Sequence, residues 1–321
     1  MKADLNEILQ QNRIMVIDGS MSTALEELGA NLNHNLWTAS VLKDQPDLVR
    51  QVHYDYFKAG ADCGITCSYQ ATIPGLMTAG CTEKEAEELI TRSVKLFLEA
   101  RDQWWEEEGK ASGRKYPLCL GSIGPYGAYL ANGAEFTGNY SMDPEFLRFF
   151  HHRRIELLHE AGADILLMET QPALDEVLVE ADIAESLGAD YWISFTCRDR
   201  QHTCHGDDIR HCGEVLSKDH PHLRMLGINC TKPEYITTLI RQLRSSTSLP
   251  IAVYPNSGEE YDPLSKTWTN NVQMDFGAYA LAYMAAGADA VGGCCTTTGR
   301  HIREVTAARD KYLETPPQAD S

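Results

Sequence analysis

The stretch Glu160-Ala161-Gly162-Ala163-Asp164-Ile165-Leu166-Leu167-Met168 decides the fold. A helical pattern leads into it, the glycine ends that helix in a left-handed turn, and a buried apolar strand follows at once. Near-copies stand at Ala59-Gly60-Ala61-Asp62, Gly188-Ala189-Asp190 and Ala286-Gly287-Ala288-Asp289, each between a helical stretch and an apolar run. This is the helix-to-strand connection of a repeating βα unit. Outward from these copies, apolar runs imply eight strands, at residues 14–18, 63–68, 117–122, 165–169, 191–196, 225–229, 251–254 and 290–294. Helical patterns separate them, for example at 46–59, 83–106, 144–161, 174–187, 233–244 and 271–286. Continuous apolar runs suit parallel strands covered on both faces. Eight such units predict an α/β fold with one closed (β/α)8 barrel of the TIM type over residues 1–313; a doubly wound open sheet is the competing arrangement. No linker or composition shift divides the chain, and residues 314–321 read as a disordered tail.

The 321 residues are 43% hydrophobic and 23% charged, enough apolar material for a large core. A net charge of −18 argues against nucleic acid or anionic membrane as a partner, because phosphates would be repelled. The first residues lack a signal peptide's basic and apolar regions, and no apolar run nears the roughly 20 residues of a membrane helix. The ten cysteines are therefore expected as reduced thiols in the cytoplasm.

A barrel carries its chemistry at the carboxyl ends of its strands. Polar residues gather there: Asp18-Gly19, Ser68-Tyr69-Gln70, Gly121-Ser122, Glu169-Thr170, Asn229-Cys230, Tyr254-Pro255-Asn256-Ser257 and Cys294-Cys295. Any one of these could simply start a loop, but seven on one rim point to a site. Strands six and eight are separated by one strand, so Cys230 can face Cys294 and Cys295 across the rim. Three thiolates would hold a zinc ion and leave its fourth position open, the mark of a catalytic rather than a structural site. A thiol entering that position would be ionised at neutral pH. The glycines of Gly292-Gly293 are expected to allow the sharp turn that brings adjacent cysteines to one metal.

Three other features compete for attention. The loop after strand five carries Cys197, His202, Cys204, His205, His211 and Cys212, metal-ligand types whose spacing matches no zinc motif, so it reads mainly as a solvated polar loop. The Gly-, Tyr- and Asn-rich segment 124–143 is a long βα insertion, of the kind that is often functional. Residues 102–114 read as an acidic helix end running into a solvated turn, and Trp268 as either a ligand-stacking or a loop-covering residue.

Taken together, the chain resembles the zinc-dependent homocysteine S-methyltransferases, most closely the branch that uses S-methylmethionine or S-adenosylmethionine. The resemblance is nearly full length. It is carried by Val16-Ile17-Asp18-Gly19-Ser20-Met21-Ser22-Thr23, Leu36-Trp37-Thr38-Ala39, Ile65-Thr66-Cys67-Ser68-Tyr69-Gln70-Ala71 and Gly121-Ser122-Ile123-Gly124-Pro125-Tyr126-Gly127-Ala128. It continues through Met168-Glu169-Thr170, Gly227-Ile228-Asn229-Cys230, Val253-Tyr254-Pro255-Asn256-Ser257-Gly258 and Gly292-Gly293-Cys294-Cys295. The resemblance implies a (β/α)8 barrel with Cys230, Cys294 and Cys295 as zinc ligands and homocysteine sulfur in the open position. It implies that Asp18 and Glu169 hold the homocysteine amino group and that Tyr69 lies beside the metal. Gly121, Ser122 and the residues up to Gly127, with Asn256, fall where the family forms the rest of its pocket. The chain departs from the family most in the Cys- and His-rich residues 204–212.

The expected reaction is methyl transfer from a sulfonium donor to zinc-bound homocysteine thiolate, yielding methionine. Anionic attack on a cation cancels charge in the transition state, which a dry barrel mouth favours, and in-line positioning does the rest. Trp37, Tyr126 or Tyr129 could offer an aromatic face to the donor cation. Alternatives are a betaine- or folate-type donor for the same acceptor, and a non-catalytic zinc- or thiol-binding protein. Oligomeric state is not legible.

Overall fold

The structure is a computed structural model that describes residues 2–32, 38–141, 143–262, 267–269 and 274–314. Eight parallel strands form one sheet: β1 (Met15–Val16), β2 (Cys63–Ile65), β3 (Leu118–Ile123), β4 (Ile165–Gln171), β5 (Tyr191–Phe195), β6 (Leu223–Asn229), β7 (Ile251–Tyr254) and β8 (Ala290–Val291). Neighbours in sequence are neighbours in space, β8 pairs with β1, and an Ile17–Cys63 bridge joins β1 to β2. The sheet therefore closes into the (β/α)8 barrel, with helices outside, and the open-sheet alternative falls.

Side-chain alternation sorts the strands into two layers. Met15, Leu118, Leu120, Ile165, Leu167, Met225 and Ala290 fill the barrel interior, while Val16, Cys119, Leu166, Met168 and Leu226 pack against the helices. The helix Leu5–Asn12 plugs the amino end, adding Ala3, Leu5 and Ile8 to the interior cluster. The same period of two carries Ser122 and Glu169 inward at the carboxyl end and turns Gly121 outward. A Cβ on Gly121 would lie 3.0 Å from Ala163 and 3.4 Å from Leu158, on the helix side.

The Gly-Ala-Asp copies behave alike. Gly60, Gly162, Gly188 and Gly287 all take positive φ, as a left-handed helix end requires. The aspartates that follow are structural staples. Asp62, Asp164 and Asp289 accept the backbone N–H of Val16, Cys119 and Ile251 at 2.8–2.9 Å, tying β2 to β1, β4 to β3 and β8 to β7. Arg114 and Arg309 pair with Asp62, Arg101 with Asp164, Arg224 with Asp190 and Arg244 with Asp289. These pairs sit at the amino end, the face that serves stability rather than chemistry.

Several expected boundaries shift. Strand two ends at Ile65 rather than 68, because the chain turns and the Ser68 N–H donates to the Thr66 carbonyl. Strand eight ends at Val291, where the glycines leave the sheet. The helix expected from 271 begins at Phe276, capped by the Asp275 carboxylate; residues 271–273 lie outside the described residues. Residues 102–114 run, as expected, from an acidic helix end into an exposed turn, but the segment is anchored at both ends. Helix Glu83–Glu107 buries Trp104 against Phe57, and the Arg114 guanidinium lies 4.8 Å from the Trp104 ring. The last helix runs Gly299–Glu314, so it includes the first residue assigned to the tail; 315–321 lie outside the described residues. Among the described residues no helix is long and apolar enough to cross a membrane.

Candidate metal centre and active site

Strand β6 delivers Cys230 one residue past its end, in a left-handed conformation (φ 48°) that turns the chain across the barrel mouth. From β8 the chain runs through Gly292-Gly293 to Cys294-Cys295. Neither glycine has the positive φ that a flexible turn would show. They are required by crowding instead: a Cβ on Gly292 would sit 2.6 Å from Ile17 Cβ, and one on Gly293 would sit 2.4 Å from Thr297 Oγ1. Close packing against β1, not glycine flexibility, sets the approach, and the sharp bend comes after the cysteines at Thr296 (φ 63°). The Cys294 N–H donates to the Pro255 carbonyl at 2.8 Å, and the Cys295 carbonyl accepts from Ser257 N–H at 3.2 Å.

The sulfurs of Cys230, Cys294 and Cys295 lie within 4.8 Å of one another, and Cys230 Sγ is 3.6 Å from Cys295 Sγ. Tetrahedral zinc with sulfur ligands at about 2.3 Å sets neighbouring sulfurs roughly 3.8 Å apart, so the donor set fits such an ion in number, type and spacing. Asn229, fully buried, donates Nδ2–H to Cys294 Sγ at 3.8 Å and to Thr170 Oγ1 at 2.8 Å, while its Oδ1 accepts from Thr170 N–H. It thus fixes both a sulfur and the backbone beside Glu169, the kind of support a metal ligand needs. Hydrogen bonds from Cys230 and then Cys294 hold the Cys295 thiol well below its ordinary pKa. Donation to Cys294 and Cys295 keeps Cys230 protonated well above its own. Three sulfurs converge here within reach of a single cation.

Two carboxylates stand beside the sulfurs. Asp18 Oδ2 accepts the Ile65 N–H at 2.9 Å, and its Oδ1 has no partner. Burial pushes its pKa well up, and the charges of Glu169 and Cys294 add to this. Glu169 accepts the Ser122 hydroxyl at 2.5 Å and is pushed up to about 8 by burial, then by Cys294. Two acids held in this way complete themselves by binding a cation.

The sulfurs and Glu169 open into a solvent-connected cavity of about 160 Å³. Ser20, Met21, Tyr69, Gln70, Glu135, Phe136, Thr170 and Tyr254 help line it, and among the described residues no Lys or Arg does. Tyr69 is therefore in the pocket, with Cys230 and Glu169 among its titratable neighbours. Gly121 is not a lining residue, and neither is Asn256, whose buried Oδ1 has no partner. Tyr126 and Tyr129, expected near the donor, instead pack on each other and on Phe150 at 5.0–5.6 Å. Trp37 and the side chain of Trp268 lie outside the described residues.

Sequence reasoning passed over Asn229, Thr170, Glu135 and Phe136 as site residues. The first two flank residues it did select; the second two belong to the insertion it flagged only as a whole. The Cys- and His-rich loop brings no three ligands together among the described residues. It folds as a brace. Cys197 bridges to Thr203, His202 to Asp208, and His205 Nδ1 donates to the Gly138 carbonyl of the insertion at 3.0 Å.

A parallel barrel with clustered thiols and buried acids at its catalytic rim defines an enzyme that handles a thiol substrate. The chain matches the homocysteine S-methyltransferase family profile over residues 15–309. It is 44% identical to homocysteine S-methyltransferase YbgG of Bacillus subtilis (strain 168), covering 94% of this chain and 96% of that protein. It is 42% identical to homocysteine S-methyltransferase of Escherichia coli (strain K12), covering 94% and 97%. The structure of the metallated form of homocysteine methyltransferase MmuM from Escherichia coli superposes with a TM-score of 0.85 at 39% identity, covering 94% of this chain and 99% of that one. The chain belongs to the homocysteine S-methyltransferase family and is an S-methyltransferase.

Proposed function

We propose that Cys230, Cys294 and Cys295 hold zinc, and that the enzyme moves a methyl group from a sulfonium donor to homocysteine, giving methionine. The observation that carries the reading is one pocket floored by three convergent sulfurs and Glu169, with Asp18 beside them and, among the described residues, no cationic side chain in its lining. Zinc, when bound, ionises a coordinated thiol at neutral pH. Asp18 and Glu169 bind the homocysteine ammonium, with Ser122 fixing the Glu169 carboxylate and Ile65 N–H fixing Asp18. Tyr69 and Tyr254 wall the site and exclude water. The donor's S–CH3 bond breaks as the homocysteine sulfur bonds to the methyl carbon, and the electron pair stays on the donor sulfur. No proton moves in this step, so no side chain has to act as a base during it. Charge cancels as the transition state forms, which a pocket shielded from water favours.

S-methylmethionine is the proposed donor and S-adenosylmethionine the second. Ten free cysteines, three of them in this cluster, suit a reducing compartment such as the cytoplasm. The test is methionine formation from homocysteine with each donor supplied separately to zinc-loaded protein. Turnover with S-methylmethionine is expected. Failure with both sulfonium donors and turnover with a betaine or folate donor would replace the reading.

A further inference from the structure

The pocket holds another carboxylate that neither the sulfur cluster nor homocysteine uses. Glu135 comes from the short 3-10 turn Ala134–Phe136 within the 124–143 insertion and lines the pocket beside Phe136. Its Oε2 is buried and has no hydrogen-bond partner. Among the described residues no Lys or Arg lines the cavity. The titratable groups that feel it are Tyr69 and Cys204, both held in their neutral forms by burial. An unpartnered acid at such a place costs stability unless something binds it. Burial alone pushes its pKa up to about 7.

The position is built rather than accidental. Glu176 Oε1 accepts the Tyr126 N–H at 2.6 Å and Glu176 Oε2 accepts the Tyr140 hydroxyl at 2.6 Å, gripping the insertion on both sides of Glu135. Arg154 donates to the Gly124 carbonyl at 2.6 Å at the insertion's start, and His205 holds Gly138 near its end. Phe136 and Tyr69 then frame the carboxylate.

We infer that Glu135 binds the α-ammonium of the methyl donor, and so selects amino-acid sulfonium donors over sulfonium compounds without an amino group. The inference rests on the methyl-transfer reading above. The sulfonium itself is the poorer partner for this acid. Its charge vanishes during transfer, so a carboxylate on it would hold the ground state more tightly than the transition state. The ammonium keeps its charge throughout, and binding it lowers the donor KM without that penalty. Asp18 and Glu169, beside the sulfurs, are taken by the acceptor's ammonium; among the described residues Glu135 is the remaining acid in the lining.

The test compares wild type with Glu135→Gln and Glu135→Asp, using S-methylmethionine and dimethylsulfoniopropionate, a sulfonium acid with no amino group. Glu135→Gln should raise the KM for S-methylmethionine about 10- to 100-fold, the loss of one charge-assisted hydrogen bond. Its preference for S-methylmethionine over dimethylsulfoniopropionate, read as the ratio of kcat/KM values, should fall by the same factor. Glu135→Asp should recover part of it. Calorimetric binding of S-methylmethionine gives the same comparison without turnover. An unchanged preference in Glu135→Gln overturns the inference while leaving the methyl-transfer reading intact. A rise in the homocysteine KM instead moves Glu135 to the acceptor and also overturns it. Wild type that forms no methionine from S-methylmethionine removes the reading itself, and the inference with it.

Discussion

Asp18 accepts Ile65 N–H and Glu169 accepts Ser122 Oγ–H, and among the described residues neither forms an ion pair with a cationic side chain. Their expected ligand supplies that charge. Glu169→Gln should raise the homocysteine KM about 10- to 100-fold while bound zinc stays stoichiometric, measured by kinetics and metal analysis together. Loss of zinc in this variant would make Glu169 a metal-supporting residue instead. Cys295→Ser should lose zinc and methionine formation together, since two sulfurs and a hydroxyl no longer make the donor set. Full activity in a zinc-free Cys295→Ser protein would reject the metal-based mechanism. A third residue acts on stability alone. His53 is buried edge-on to Phe97 at 4.9 Å, and neither ring nitrogen has a hydrogen-bond partner. Burial lowers its pKa from 6.5 to about 3, so the folded ring stays neutral while the unfolded ring takes up a proton below pH 6.5. Its contribution is intact above pH 6.5 and is lost as pH falls toward 3. Between pH 7 and pH 5 the loss is about 2 kcal/mol. Denaturant melts should show His53→Leu losing about that much less than wild type over the same interval; equal losses would reject the assignment.

At the scale of elements, the insertion between β3 and helix Pro144–Glu160 supplies Glu135 and Phe136 to the pocket and is fixed from below by helix Leu174–Leu187. Glu176 on that helix is fully buried and also accepts from His151 Nε2 at 2.8 Å. Removing it leaves Arg154 and His151 without that acid and frees the Tyr126 N–H and Tyr140 hydroxyl. Glu176→Ala should cost about 3–5 kcal/mol, as for other broken buried pairs, and should raise the donor KM more than the homocysteine KM. Equal KM changes would mean that the insertion serves both substrates. The sequence marked this segment by its length and composition, yet could not say which of its residues enter the pocket. Tyr126 and Tyr129 looked like donor contacts because aromatic rings suit cations. They are claimed by Tyr140 of the insertion and by Phe146 and Phe150 on the neighbouring helix, contacts set by packing rather than by local pattern. Strand ends were overextended for a related reason: apolar runs continue past the last ladder bond, where the chain turns to build the rim.

The whole molecule divides its labour between the two ends of the barrel. The amino end carries the Asp staples and their arginines; the carboxyl end carries the sulfurs and acids. Asp62 is 2% exposed and takes Val16 N–H, Arg114 and Arg309 at once. Asp62→Ala should destabilise the fold by about 3–5 kcal/mol, read in chemical denaturation, with kcat per folded molecule retained. A fall in kcat that tracks the loss of stability would show that the two ends are coupled. What the sequence determined by itself was the repeat, and through it the barrel, its rim and the convergence of Cys230 with Cys294 and Cys295. Those follow from local rules: a left-handed glycine, a period of two, and the fixed order of parallel strands. Tertiary structure alone decided that Gly292 and Gly293 serve close packing against Ile17 and Thr297, that Gly121 faces the helices, and that Glu135 enters the pocket. Each depends on which surface a neighbouring element brings up, and the spacing of residues along one chain does not encode that distance.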